Sequence, residues 1–243
     1  MATTATRATG TKVTSAGQRR TPKAAKTSSV AKKVVMAVTG IIMIAYLIAH
    51  MIGNLHAFQG AKQYNDYALF LRSFGEPALP YRTLLTAIEI VLSVSVIAHI
   101  WAAVSLWRQA KRARPVGYVT KKANAQTYAS RTMRWGGVIV LAFIIYHLLD
   151  MTAGTINLAK GHAEPFDRLV ASFTNPWVTA FYVISLVLLG MHLRHGIWSV
   201  TQTLGQSNKR RERTVNAAAI VLSTLLIAGF LVVPLAIAIG AVR

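Results

Sequence analysis

The sequence predicts an all-α integral membrane protein with five transmembrane helices. Three observations carry this prediction. Apolar residues make up 53% of the 243 residues and charged ones only 14%, where a soluble domain carries about 25% charged residues. Mean hydropathy is positive, at +0.43. Five apolar stretches each reach the roughly 20 residues that a helix needs to cross a bilayer core. The basic residues crowd into alternate loops, the mark of a chain threaded through a membrane.

Residues 1–33 come first. They are rich in Ala, Thr, Ser, Lys and Arg and hold no acid. A segment this poor in large apolar side chains cannot bury enough surface to fold alone, and it reads as a disordered basic tail lying on anionic lipid. Residues 34–243 form the membrane domain. Its apolar stretches are Val34–Phe58, Thr83–Trp107, Trp135–Leu158, Trp177–Val200 and Val215–Val242. Backbone groups in lipid must be satisfied internally, so each is expected as a helix. Pro234 is placed to kink the fifth.

The loops give direction. Twenty of the 27 Lys and Arg fall in the tail, the second loop and the fourth loop, and six fall on the other side. Four of the seven acids, Asp66, Glu76, Glu164 and Asp167, share that other side. The excess of Lys and Arg places the N-terminus in the cytoplasm and the C-terminus outside. The net charge of +20 is therefore read as topogenic. No recognition helix or aromatic sheet motif accompanies it, so no nucleic-acid partner is expected. Cysteine is absent, which excludes disulfides, Cys nucleophiles and any zinc or iron–sulfur site held by cysteines of this chain.

Four of the seven histidines lie deep in apolar stretches, one in each of the first four: His50, His99, His147 and His192. An imidazole at membrane depth is costly without a partner and marks a functional site. His50 follows Val34 by 16 residues and His147 follows Trp135 by 12, both on outward-running helices. His99 follows Thr83 by 16 and His192 follows Trp177 by 15, both on inward-running helices. At 1.5 Å per residue the four sort into an outer pair, His50 and His147, and an inner pair, His99 and His192, roughly 10–15 Å apart. Two imidazoles from different helices at one level can take both axial positions of a haem iron, and bundles build cofactor sites from facing helices. Packed core histidines, helix-bridging polar contacts, or ligands to a cluster completed by a partner's cysteines are the other readings. His195, three residues after His192, is the alternate inner ligand because it lies on nearly the same helix face.

Further polar groups lie at or near membrane depth. Glu89 and Asp150 are proton-path or quinone-contact candidates. His56, at the outer end of the first helix, and Glu76, in the outer loop, join them. For Glu89, snorkelling to water weighs equally. Arg194, between two histidines, and Arg131 and Arg134, at the start of the third stretch, are candidates for haem propionates or for a partner subunit.

Several of these residues stand in motifs. The first helix carries Thr39-Gly40 and then His50-Met51-Ile52-Gly53-Asn54-Leu55; the second carries Glu89 and His99-Ile100; the third carries Tyr146-His147-Leu148. The fourth reads His192-Leu193-Arg194-His195-Gly196-Ile197-Trp198-Ser199 and then Gln202-Thr203-Leu204-Gly205. From about Val34 to Arg243 the chain resembles the five-helix, di-haem cytochrome b anchors of bacterial succinate dehydrogenases and quinol:fumarate reductases. The resemblance implies two haems b, the outer held by His50 and His147 and the inner by His99 and His192. It implies docking of a flavoprotein and an iron–sulfur subunit on the cytoplasmic face of the bacterial cytoplasmic membrane. Electrons would pass to menaquinone, succinate chemistry would belong to the flavoprotein, and this chain would be a non-catalytic subunit. A further small membrane subunit is left open. Three rivals remain: a haem-free quinone-binding anchor of the same complex, a haem b anchor of another respiratory dehydrogenase, and a transporter that moves protons on its His, Glu and Asp.

Overall fold

The computed structural model describes residues 28–113, 128–159, 163–203 and 209–243. The basic tail and the body of the basic second loop lie outside these residues. Every regular element described is helical. In order they are α1 (Ser29–Asn54) with a 3-10 turn (Leu55–Gln59), α2 (Ala61–Ser73), α3 (Thr83–Ala113), α4 (Tyr128–His147) with a π turn (Leu148–Thr152), α5 (Pro165–Thr174), α6 (Pro176–Thr203) and α7 (Lys209–Ala238). Five are long and apolar enough to cross a membrane: α1, α3, α4, α6 and α7.

The spans match the five apolar stretches, and their ends differ for local reasons. α1 starts at Ser29, ahead of Val34, because the Ser28 hydroxyl caps it by accepting from the Ala31 N–H at 3.1 Å. Lys32 and Lys33 therefore belong to the helix and not to the tail. The third span stops at Thr152 rather than Leu158, since the π turn closes on Leu148 and Gly154 adopts φ 70°. α7 runs as one helix through Pro234 and ends before Gly240, at φ 75°. The short helices α2 and α5 occupy two loops at one end of the bundle.

That end, with α2 and α5, is called the far end. The near end is where α1, α4 and α7 begin. α3 packs on α1, α4 on α6, and α6 on α7, with α1 touching both α6 and α7. Neither α1 with α4 nor α3 with α6 is packed along its length. A slot thus runs between the α1–α3 pair and the α4–α6 pair, bridged where α1 touches α6.

Lipid is as apolar as the helix surfaces, so association rests on close approach more than on exclusion from solvent. Small residues provide it. A Cβ on Gly190 would lie 2.8 Å from Ile227, and one on Gly229 would collide with the Met51 thioether. These glycines seat α7 against α6 and α1. Around them Leu186, Leu193, Leu226, Ile227 and Phe230 form a buried cluster.

A second cluster closes the far end. α5 carries Pro165 at its first turn and Asp167 near its N-terminus, both favourable there. Its Phe166, Leu169 and Phe173 are buried against Phe143, Tyr182 and Val233. Asn65 of α2 accepts from the Phe166 N–H at 3.0 Å, satisfying one orphan donor at the start of α5. Burial beside this cluster pushes the Tyr64 phenol up to about 12.

Candidate functional site

The helices bring the four deep histidines together in two pairs, one at each level of the slot. At the far level, the His50 and His147 ring centres are 5.8 Å apart, with planes at 75°. At the near level, His99 and His192 are 6.3 Å apart, with planes at 53°. Among the described residues no hydrogen bond joins either pair. With a metal–imidazole bond of about 2 Å and a nitrogen about 1 Å from its ring's centre, rings flanking one iron have centres about 6 Å apart. Both separations fit that value, although the helices carrying each pair are not packed together.

The nitrogens agree. The Thr39 hydroxyl donates to the Val35 carbonyl at 2.8 Å, so its oxygen accepts from His99 Nδ1–H at 3.2 Å. That assignment leaves the His99 Nε2 lone pair free. At His147 the Tyr182 hydroxyl lies 3.3 Å from Nδ1, and Tyr182 also donates to Asp150 Oδ2 at 2.9 Å. With its one proton committed to Asp150, Tyr182 accepts from His147 Nδ1–H, and again Nε2 is free. His192 Nδ1 is buried without a hydrogen-bond partner among the described residues. An orphaned polar atom of this kind fits a ligand site better than a self-contained structural contact. Space beside the near pair is kept by glycines. A Cβ on Gly40 would lie 3.7 Å from His99 Cε1, and one on Gly137 would lie 3.8 Å from His192 Cε1. The residues present therefore fit an iron porphyrin at each level.

The far pair is also packed by aromatic rings. His50 stacks on Tyr46 one turn earlier at 5.3 Å and meets Phe230 of α7 at 5.8 Å. His147 lies 5.9 Å from Phe143. Asp150, in the π turn, is 1% exposed. It accepts from the Ser172 hydroxyl at 2.8 Å and the Asn157 amide at 2.7 Å as well as from Tyr182. Among the described residues no cation forms an ion pair with it.

The other predicted residues are more dispersed. His195 faces Trp198 at 6.1 Å, while His192 is the one opposite His99. His56 stacks on Tyr67 at 4.3 Å and its Nδ1 donates to the Gly53 carbonyl at 3.1 Å. Glu89 is exposed and pairs with Arg82 at 3.3 Å. Glu76 is exposed in the far-end loop after α2, and Arg194 is exposed on α6. The Arg134 guanidinium lies 5.9 Å over the Trp107 ring. Arg131 belongs to α4, but its side chain is outside the described residues. A cavity of about 450 Å³ opens at the near end between α1, α3 and α6, lined by Lys33, Met36, Gln109, Ser199 and Gln202 among others. Sequence reasoning did not find Tyr182, Ser172, Asn157 or Gly137. Tyr182 and Ser172 lie 32 and 22 residues from Asp150, and only the fold brings them to it; Asn157 is seven residues on.

Fold and site together define a multi-pass helical membrane protein built around two histidine pairs. Comparison with known proteins places it more closely. The chain belongs to the succinate dehydrogenase/fumarate reductase transmembrane subunit family, whose model matches residues 108–232. It is 25% identical over 178 residues to the succinate dehydrogenase cytochrome b558 subunit of Bacillus subtilis (strain 168), covering 70% of this chain and 77% of that one. No solved structure matches it. The family match includes His147 and His192, whereas His50 and His99 lie before it.

Proposed function

We propose that the chain is the membrane-anchor and electron-transfer subunit of a succinate dehydrogenase complex, holding two haems b and passing electrons to menaquinone. The observation that carries this reading is the two-level pairing of imidazoles between helices that do not pack on one another. His50 and His147 would hold the far haem, and His99 and His192 the near one. Bound haem supplies one-electron transfer through the bilayer. The chain's own contribution is to fix the four imidazoles and, at His99 and His147, to leave Nε2 free.

Lys and Arg bias turns the near end to the cytoplasm, the side on which a flavoprotein and an iron–sulfur subunit would dock. The protein then sits in the bacterial cytoplasmic membrane with its C-terminus outside. Succinate chemistry belongs to the flavoprotein partner. The name of the Bacillus relative, a cytochrome b subunit of succinate dehydrogenase, supports the assignment.

Haem b per chain, measured by pyridine haemochrome on the detergent-purified complex, tests the proposal. Two per chain is the expected result. One would mean that a pair is misassigned. A colourless complex would overturn the electron-transfer role and leave a haem-free quinone-binding anchor.

A further inference from the structure

The buried carboxyl at the far end takes no direct part in the proposed haem ligation. Asp150 stands three residues after His147 in the π turn, and among the described residues no hydrogen bond joins the two. π turns inside helices are frequent at functional sites, and here the turn closes through the Ala153 N–H on the Leu148 carbonyl at 2.8 Å. Arg168 supports its end by donating to the Thr152 carbonyl at 3.0 Å. The Arg168 guanidinium is thus spent on backbone. Among the described residues Asp150 receives neutral donors only: Tyr182 at 2.9 Å, Ser172 at 2.8 Å and Asn157 at 2.7 Å. Asp150, Ser172 and Tyr182 are 1%, 1% and 4% exposed. Fixing a carboxyl this deeply without a cation is unfavourable unless the surrounding donors are complete.

One of those donors leads back to the site. Tyr182 gives its proton to Asp150 and accepts from His147 Nδ1–H. Three groups from α4, the π turn and α6 thus form one directed chain, imidazole to phenol to carboxyl. Such chains polarise along their length. A hydrogen bond from Nδ1 to an acceptor that is itself polarised fixes the ring's tautomer and raises its basicity at Nε2. The near pair has no counterpart, since His99 Nδ1 meets a threonine hydroxyl and His192 Nδ1 has no partner among the described residues.

We propose that Asp150 and Tyr182 are positioning residues for the far haem ligand, and that they hold His147 in the ligating tautomer and make it a stronger electron donor than either near imidazole. The proposal rests on the assignment of His147 as a haem ligand. A more basic axial imidazole favours the oxidised iron, so the chain lowers the potential of the far haem alone.

The test uses the purified complex, with redox titration of the haem absorbance and electron paramagnetic resonance of the oxidised haems. His147→Ala first identifies the far haem by the wave that it removes. If haem content is unchanged in this variant, the ligand assignment itself fails. Tyr182→Phe then cuts the chain while leaving Asp150 two donors, so both haems should stay bound. The expected result is an upward shift of the far wave by about tenfold in its reduction equilibrium, or about 59 mV for a one-electron couple, with the near wave in place. The far haem's resonance should move with it. Asp150→Asn should shift the same wave in the same direction, and the double variant should add nothing to Tyr182→Phe. With both haems bound, a far wave that stays put in Tyr182→Phe overturns the proposal. Additive shifts, or loss of haem in Asp150→Asn beside a normal Tyr182→Phe, also overturn it, because Asp150 would then act on the fold and not on the ligand.

Discussion

The two histidine pairs use the same side chains at similar separations, 5.8 Å and 6.3 Å, yet the molecule holds them by different means. The far pair is gripped. Tyr46, Phe143, Phe230 and Tyr182 pack its rings, α5 plugs the end beneath it, and a buried carboxyl stands behind one ligand. The near pair is loosely framed. Glycines border it, one hydroxyl meets one ring, and one nitrogen has no partner among the described residues. Redox sites are tuned by ligands, hydrogen bonds and burial. Two sites built from the same four imidazoles can therefore differ through their surroundings alone.

Removal of a ligand is the largest way to break the comparison. His147→Ala and His192→Ala should each cost one of the two proposed haems, and the haem that remains should be a different one in each. His195→Ala should keep both, because His192 is the ring opposite His99. Pyridine haemochrome with redox titration reads all three. Identical residual spectra in the first two variants would contradict the two-level assignment.

The next effect sharpens the contrast in packing. Phe173 of α5 is 3% exposed and meets Tyr182 at 4.8 Å. Phe173→Ala should destabilise the far end by about 3–5 kcal/mol. The far haem should dissociate first on heating in detergent while the near one stays. Simultaneous loss of both would mean that the bundle melts as one unit and that the far end has no separate grip.

A third variant fills the opposite end. Gly137→Leu sends a side chain toward His192, where the glycine leaves space. Overpacking of this kind costs about 1–3 kcal/mol, and it should lower near-haem occupancy with the far wave unmoved. Unchanged occupancy would show that the slot lies on another side of the ring.

The sequence discloses the spans because hydropathy is a property of local runs, and five such runs exist. It also discloses the two levels, because helical rise turns residue numbers into depth. α2 and α5 are not visible this way. α5 has only 10 residues, and its apolar spacing gains meaning only once Phe143 and Val233 are known to lie under it. Asp150 stands out in sequence as a charge at membrane depth. Its route to His147 does not, because that route passes through Tyr182, 32 residues away. Gly137 has no signal at all, since one glycine in an apolar run is ordinary.

The smallest effect tests whether the near pair is held by hydrogen bonding at all. Thr39 and His99 share a contact of 3.2 Å, and Thr39→Val keeps the shape of the side chain while removing its oxygen. A neutral hydrogen bond is worth about 0.5–1.5 kcal/mol net, and the loss is spread over both oxidation states of the iron. The near wave should therefore move less than the far wave moves in Tyr182→Phe, and the far wave should not move. Threonine differs from tyrosine here in what lies behind it. Its proton goes to the Val35 carbonyl, a neutral backbone acceptor already shared with α1, so little polarisation reaches His99. If Thr39→Val shifted its haem as much as Tyr182→Phe shifts the other, the carboxyl behind Tyr182 would be irrelevant, and any hydrogen bond to Nδ1 would tune these ligands equally.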